Sequence, residues 1–205
     1  MEIELKYAVK DEDIIEKILS DPYLESIKDK ATEEELEMHA VYFDTEDRRF
    51  FREGIAFRVR KEGSKLVATL KWNGSSEDGM HKREEINVPV DDESKLTTPD
   101  IQIFDQSEMC QVLTDLVGRR KLVPLMDIYF VRRQVRIDTG KSINELSVDV
   151  GKIICGEKTV PISEMEIELY SGDEEDMIGL GQRISEKYGL EAENRSKYKR
   201  GLDLI

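Results

Sequence analysis

The sequence predicts an α+β fold in which antiparallel β-structure forms most of the chain and a few helices pack outside it. Polar and apolar residues alternate at every second position in the segments 2–9, 57–60, 68–71, 83–88, 128–138, 145–150 and 164–169. Glycine-containing turn signals lie between them, at residues 62–64, 73–76, 139–141 and 155–157. Alternating segments joined by such turns are typical of hairpins in an antiparallel sheet.

Helical periodicity is confined to a few segments. Asp11–Leu19 and Asp173–Tyr188 each open with acidic residues and carry apolar residues along one side, and Ser107–Val117 shows a weaker pattern. We expect the first two helices to pack outside the sheet and the third to connect two halves of it. No internal repeat or low-complexity tract divides the chain, so a single domain over residues 1–205 is expected.

Composition and charge exclude several classes of protein. The 205 residues carry a formal net charge of −14, which disfavours a nucleic-acid or anionic-membrane partner because such surfaces attract basic patches. The two cysteines, Cys110 and Cys155, provide neither a disulfide framework nor a zinc-binding spacing. No apolar run approaches the length of a membrane span and the N-terminus has no signal-peptide pattern. We therefore expect a cytoplasmic protein without a membrane partner.

Each alternating strand taken alone is explained by a solvated face on an ordinary sheet. Taken together, the strands favour another interpretation, because acidic and basic residues are segregated among them. Acids occupy positions 2, 4, 166 and 168, whereas bases occupy positions 58, 60, 71 and 132. A solvated face usually mixes Ser, Thr, Gln and scattered charges. The segregation indicates carboxylates that hold metal ions beside bases that hold phosphate.

The residue types fit this interpretation. Two carboxylates one strand step apart, as in Glu2-x-Glu4 and Glu166-x-Glu168, can converge on one Mg²⁺ or Mn²⁺ ion. Lys and Arg on facing strands can neutralise phosphate oxygens, and Arg adds planar bidentate contacts. The sequence contains no GxxxxGK[ST] loop and no GxGxxG after a strand. Side chains must therefore bind the phosphates.

A series of short motifs runs through nearly the whole chain. The first is ExExK, present as Glu2-Ile3-Glu4-Leu5-Lys6. The others are Tyr42-Phe43-Asp44-Thr45, Phe57-Arg58-Val59-Arg60, Leu70-Lys71, Arg83-Glu84-Glu85, Ser147-Val148-Asp149, Glu166-Ile167-Glu168 and Ser196-Lys197. In this order they closely resemble the CYTH superfamily, also called triphosphate tunnel metalloenzymes. The resemblance implies a closed eight-stranded antiparallel β-barrel, the triphosphate tunnel, with helices packed outside and charged side chains inside.

The resemblance also implies roles for individual side chains. The acids expected to act in catalysis, as metal ligands or as supporting acids, are Glu2, Glu4, Asp149, Glu166 and Glu168. The bases expected to bind substrate are Lys6, Arg58, Arg60, Lys71, Arg83, Arg132, Arg136 and Lys197. Glu85 is expected to orient a neighbouring base, and Asp44 to support a tunnel base or end a turn. Gln134 stands where bacterial triphosphatases commonly carry a base, which predicts a slightly less positive tunnel.

The function implied by the resemblance is hydrolysis of inorganic triphosphate at its terminal phosphorus, with nucleoside triphosphates as further substrates. Mg²⁺ or Mn²⁺ is the expected cofactor. Two ions are expected during turnover, one held mainly by Glu2, Glu4 and Glu168 and the other nearer Asp149 and Glu166. The alternatives are a class IV-like adenylate cyclase, a thiamine triphosphatase and a non-catalytic polyphosphate- or nucleotide-binding module. The expected partner is a triphosphate-containing small molecule, and the sequence leaves a homodimer open.

Overall fold

Nine β-strands form one antiparallel sheet that closes on itself. The computed structural model describes all 205 residues. The strands are β1 (Glu2–Ala8), β2 (Lys28–Thr45), β3 (Ala56–Glu62), β4 (Lys65–Glu77), β5 (Met80–Val90), β6 (Leu122–Asp138), β7 (Ser142–Cys155), β8 (Lys158–Gly172) and β9 (Glu191–Ala192). Their order is β5-β4-β3-β2-β6-β7-β8-β1-β9, and an additional β5–β1 pairing joins the ends. Strands β1–β8 thus form the predicted closed barrel, and β9 pairs with the last residues of β1.

Six α-helices accompany the barrel. They are α1 (Glu12–Leu19), α2 (Pro22–Ile27), α3 (Arg49–Arg52), α4 (Cys110–Val117), α5 (Glu174–Tyr188) and α6 (Lys197–Leu202), with short 3-10 helices at Glu93–Leu96 and Ile101–Phe104. The three predicted helices are confirmed as α1, α4 and α5. Carboxylate caps fix two of their starts, because Asp11 accepts the N–H of Asp13 and Asp173 accepts the N–H of Glu175.

The predicted turns are correct with one exception. The turns at 62–64, 139–141 and 155–157 connect β3 to β4, β6 to β7 and β7 to β8. Residues 73–76, in contrast, lie within β4 at an irregularity in its pairing with β5. The chain reverses instead at Asp78 and Gly79, both of which have positive φ. A Cβ atom at Gly79 would lie 2.7 Å from the carbonyl oxygen of Lys6, so glycine lets this turn approach β1 closely.

Two apolar layers cover the outer wall of the barrel. Helices α1, α2 and α5 pack on β1, β6, β7 and β8, with Ile15, Ile18 and Ile184 fully buried at the contact. Helices α3 and α4 pack on β2, β3 and β4, where Phe57 lies at the centre of a group of aromatic rings. These contacts confirm that helices lie outside the sheet, and they leave the opposite face of each strand to the interior.

Helix α6 differs from the others because it lies against the inner apolar residues at one end of the barrel. Tyr198 and Leu202 contact an inner cluster that includes Met126 and Ile153. A Cβ atom at Gly201 would lie 2.2 Å from the sulfur of Met126, so glycine permits this approach without a shift of the Met126 side chain. The sequence analysis did not predict α6, α2 or α3, each of which is six residues or shorter. One end of the barrel interior is therefore apolar, and the charged cavity described below occupies another part of it.

Asp21 connects α2 to α5 and should contribute to stability in a pH-dependent way. Its buried carboxylate accepts the backbone N–H groups of Tyr23 and Leu24 and hydrogen bonds from Lys187 and Tyr188. Burial alone would raise its pKa, but these hydrogen bonds outweigh burial and lower the pKa to about 2. We expect Asp21→Asn to reduce the free energy of unfolding by about 1–3 kcal/mol at pH 7.

Since the folded pKa lies below the unfolded value, the ionised Asp21 stabilises the protein above about pH 4 and loses this effect as the pH falls toward 2. The stability difference between wild type and Asp21→Asn, measured by urea unfolding, should shrink over that interval. Asp11→Asn provides a control, because Asp11 caps α1 at an exposed position. A constant difference from pH 7 to pH 2.5 would contradict this role of Asp21.

Candidate active site in the barrel interior

A charged cavity occupies the part of the barrel interior that the apolar cluster leaves open. Its acidic lining residues are Glu2, Glu4, Glu85, Glu166 and Glu168. Its basic lining residues are Lys6, Arg58, Arg60, Lys71, Arg83, Arg132 and Lys197. Ala40, Tyr42, Ala56, Ile128, Phe130, Ser196 and Tyr198 complete the wall. With five acids against seven bases, the lining is net positive although the whole chain carries a charge of −14.

Eleven of the thirteen predicted site residues line this cavity. Asp149 lies immediately behind the wall, where it is completely buried and binds Arg132 and Lys197. Arg136 is the exception, because its guanidinium lies over the ring of Tyr170, 4.7 Å from the centroid, and it does not line the cavity. Gln134 is also outside the cavity and binds Glu34.

Strand register places acids and bases beside one another. In the pairing of β1 with β8, Glu4 lies opposite Glu168 and Lys6 lies opposite Glu166. On its other edge, β1 places Glu2 opposite Arg83 of β5. Residues of one parity on every strand face the interior of a closed barrel. The alternation read from the sequence therefore becomes a three-dimensional arrangement of charges around β1.

The first group of ion pairs lies around Glu2. The Lys71 amine is 2.8 Å and 2.9 Å from the two oxygens of Glu2 and also contacts Glu85. Arg83 binds Glu2 through Nε and Glu4 through Nη2, the latter at 2.5 Å. Burial weakens ionisation here, but Glu4 and Glu2 outweigh it and raise the pKa of the Arg83 guanidinium. Glu85 thus contacts a neighbouring base, as expected.

The second group, called the deep ionic cluster, comprises the carboxylates Asp149, Glu164 and Glu166 with the bases Lys6, Arg132, Lys197 and Arg200. Arg132 forms a bidentate pair with Asp149 at 2.8 Å and 2.7 Å and contacts Glu166 at 2.6 Å. Lys197 lies 2.6 Å from Asp149 and 2.9 Å from Glu166. Burial opposes ionisation of Glu166, but Lys197, Lys6 and Arg132 hold the pKa of its carboxyl well below the usual value. The Glu166 carboxylate is therefore ionised at neutral pH.

Two cavity residues have no partner of opposite charge. Glu168 forms no ion pair, and burial together with Glu2 and Glu4 raises the pKa of its carboxyl to about 7. Arg58 likewise forms no ion pair, and its buried Nε atom has no hydrogen-bond partner. An unpaired carboxylate on one wall and an unpaired guanidinium on another are groups that a bound cation and a bound anion would satisfy.

The sequence analysis missed two members of the deep ionic cluster. Glu164 has the same strand parity as Glu166 and Glu168, and this parity was the signal that could have identified it. Arg200 lies one turn after Lys197 on α6, a helix that the alternation did not reveal. Asp44, which the sequence analysis named as a possible support for a tunnel base, has a structural role instead. Its carboxylate accepts the N–H groups of Thr45, Phe50 and Phe51 and stabilises the start of α3.

A closed barrel whose interior holds paired acids and bases defines a class of tunnel proteins with a charged internal site. The sequence model of the CYTH domain family matches residues 1–202, and the chain belongs to this family. The aligned part of an inorganic triphosphatase from Haemophilus influenzae is 31% identical over 160 residues, which cover 78% of this chain and 44% of that protein. The chain thus spans less than half the length of this relative.

Solved structures support the same fold. A Hippeastrum protein described as a candidate adenylyl cyclase with a dominant triphosphatase activity has a TM-score of 0.74 and 22% identity, covering 99% of this chain and 96% of its own. The PH1819 protein of Pyrococcus horikoshii has a TM-score of 0.61 and 18% identity, with both chains covered completely. None of the helices has the length and apolar character required to span a membrane.

Proposed function

We propose that this chain is a metal-dependent triphosphatase that cleaves inorganic triphosphate at its terminal phosphorus inside the barrel. The observation that carries the proposal is the presence of an unpaired carboxylate, Glu168, and an unpaired guanidinium, Arg58, in one enclosed cavity. Membership of the CYTH family and the similarity to a triphosphatase from Haemophilus influenzae support it. Both ends of the described chain, β1 and α6, contribute to the cavity, which supports a single functional domain over residues 1–205.

The carboxylates of Glu2, Glu4 and Glu168 fit a divalent metal ion. Glu4 lies directly opposite Glu168 in the strand register, and Glu2 lies one step along the same face of β1. These hard oxygen donors suit Mg²⁺ or Mn²⁺. A cation bound there would neutralise charge on phosphate oxygens and lower the pKa of a bound water. Burial and the neighbouring Glu2 and Glu4 raise the pKa of the Glu168 carboxyl to about 7, and a cation bound there would offset this effect.

The basic side chains position the phosphates. Arg58 has an Nε atom without a hydrogen-bond partner that could donate to a phosphate oxygen, and Arg60 extends the same wall two residues farther along β3. Lys71 and Arg83 are held by Glu2, Glu4 and Glu85 and therefore present their charge at fixed positions. Orientation by such fixed groups, with charge neutralisation, accounts for most of the catalysis in phosphoryl transfer.

Product identification tests the proposed function directly. We expect incubation with inorganic triphosphate or ATP, in the presence of Mg²⁺ or Mn²⁺, to release orthophosphate, with inorganic triphosphate the better substrate. Cyclic AMP and pyrophosphate as the main products of ATP would replace the hydrolase proposal by the cyclase alternative. Preferred hydrolysis of thiamine triphosphate would identify the third candidate. Tight binding without turnover of any of these compounds would indicate a binding module.

Glu168→Gln and Glu4→Gln should each reduce metal-dependent turnover by about two orders of magnitude, because each removes a ligand charge without much change in volume. Their effects on stability should differ. Glu168 has no basic partner, so Glu168→Gln should not lower the free energy of unfolding, whereas Glu4→Gln leaves Arg83 and Lys6 with fewer partners. Turnover and urea unfolding measure both effects. Glu84→Gln is the control, and near-wild-type rates at saturating metal would contradict the assignment.

Arg58→Gln should weaken binding of inorganic triphosphate more than binding of pyrophosphate if the bases form an extended phosphate track. Loss of one charge-assisted hydrogen bond of about 1.5–3 kcal/mol corresponds to roughly 10- to 150-fold in affinity. Binding of both phosphates is measured by calorimetry. Lys61→Gln on the same strand is the matched control, because Lys61 is exposed and pairs with Glu93 outside the barrel. Equal losses for both phosphates, or an equal effect of Lys61→Gln, would refute the extended track.

A further inference from the structure

We propose that Glu164 is a positioning residue whose carboxylate fixes α6 in the barrel and thereby holds Lys197 at the cavity wall. The deep ionic cluster then binds side chains of α6 and does not hold a second metal ion. The proposal deepens the proposed function and rests on it in one respect, because Lys197 borders the cavity in which the triphosphate would bind.

Glu164 contacts α6 through both of its oxygens. The residue is completely buried on β8. One oxygen accepts a hydrogen bond from Lys197 and lies 3.7 Å from the amine of Lys6, and the other accepts from Arg200. Lys197 and Arg200 are three residues apart, so they lie on the same face of the helix. A single carboxylate therefore holds two points on α6.

No other carboxylate pairs with Arg200. Its guanidinium is mostly buried, its Nη2 atom binds Glu164, and its Nε atom has no partner. Lys197 also contacts Asp149 and Glu166, and the other contacts of α6 with the barrel are mainly apolar, through Tyr198, Leu202 and Gly201. Apolar contacts fix the distance of the helix from the wall but are not directional. Glu164 alone binds both Lys197 and Arg200, so its two ion pairs fix the rotation of α6.

A metal ion is the competing explanation for this cluster. One oxygen from each of Asp149, Glu164 and Glu166 lies within 4.8 Å of the others, a spacing that an ion could bridge. The three carboxylates, however, already contact four basic groups, which are Lys6, Arg132, Lys197 and Arg200. A divalent cation placed among them would be repelled by several positive charges at a few ångströms in a buried site. The positive charges therefore favour a cluster that binds the basic side chains of α6. They argue against the metal ion that was expected near Asp149 and Glu166.

Two measurements on the metal-free protein of residues 1–205 test the proposal without any assay of activity. They are hydrogen exchange and metal binding. We expect Glu164→Gln to accelerate exchange of the amides in α6 by about tenfold or more, because breaking a buried ion pair leaves Arg200 uncompensated. Calorimetry with Mn²⁺ should give the same number of bound ions as for wild type. Arg200→Gln should also accelerate exchange in α6 while leaving every carboxylate in place, and Arg200→Lys should restore most of the protection.

Two results would overturn the proposal. One is wild-type exchange in α6 for both Glu164→Gln and Arg200→Gln. The other is loss of one equivalent of bound Mn²⁺ in Glu164→Gln but not in Arg200→Gln, which would identify Glu164 as a metal ligand. If Glu164→Gln does not fold, the Arg200 variants still decide the exchange result, since they leave the strands intact.

Turnover assays add a measurement that reports specifically on how α6 positions Lys197. If the proposed function is correct, Arg200→Gln should raise KM for inorganic triphosphate about tenfold with a smaller change in kcat, because Lys197 loses its fixed place at the wall. Arg200→Lys should recover most of this loss. If the protein has no triphosphatase activity, the exchange and Mn²⁺ results still stand. An unchanged KM in an active Arg200→Gln variant with a mobile α6 would overturn the link between α6 and the substrate site.

Discussion

The pairing of β1 with both β5 and β8 is the constraint on which the site depends. This double pairing closes the sheet and gives each strand one face that meets only other interior faces. Without it, the charged face of β1 would lie on a solvated sheet, where Glu2, Glu4 and Lys6 would be ordinary surface residues. Closure therefore converts a common sequence pattern into a site with buried charge.

Buried charges need partners of opposite sign, and in the barrel interior most charged side chains have such partners but a few do not. Breaking a buried ion pair is expensive, whereas keeping one adds little stability compared with an apolar core. In the deep ionic cluster and in the pairs around Glu2, nearly every charge has a partner of opposite sign. These ion pairs therefore fix the geometry of the side chains but add little to the free energy of unfolding. Arg58 and Glu168 are left without a partner of opposite charge. In the proposed function, the phosphate and the metal ion would supply these missing partners.

The distribution of charge also reconciles an acidic protein with the anionic substrate proposed for it. The lining of the cavity has more bases than acids, so the net charge of −14 must come from residues elsewhere. Surface charge is screened over about 8–10 Å at physiological ionic strength, whereas charges in an enclosed, low-dielectric cavity are screened much less. We therefore expect the interior field to control binding of the proposed substrate, and the acidic exterior to affect mainly the rate of encounter.

Sequence patterns predicted the strands well because their signal is local. Alternation gave the inward parity of β1, β3 and β8, and capping acids marked α1 and α5. The missed features depend on distant contacts. The first half of β2 carries Glu33, Glu34 and Glu35 without alternation, and its pairing with β6 makes it a strand. The sequence of Asn73 and Gly74 predicts a turn, yet β4 pairs with β5 on both sides of these two residues. Arg136 has inward parity but lies beyond the cavity, because parity does not give depth along the barrel.

Depth along the barrel is the property that most directly links the fold to the chemistry proposed here. Along β8, Glu168 forms no ion pair, whereas Glu166 and Glu164, the residues nearer to α6, each contact three bases. Because α6 and the apolar cluster occupy one end, a phosphate chain would enter from the end near Glu2 and Glu168. In the proposed function, Glu168 would thus be the first carboxylate that an incoming phosphate with its cation meets. The paired charges beyond it would form a fixed wall against which the phosphate chain is held.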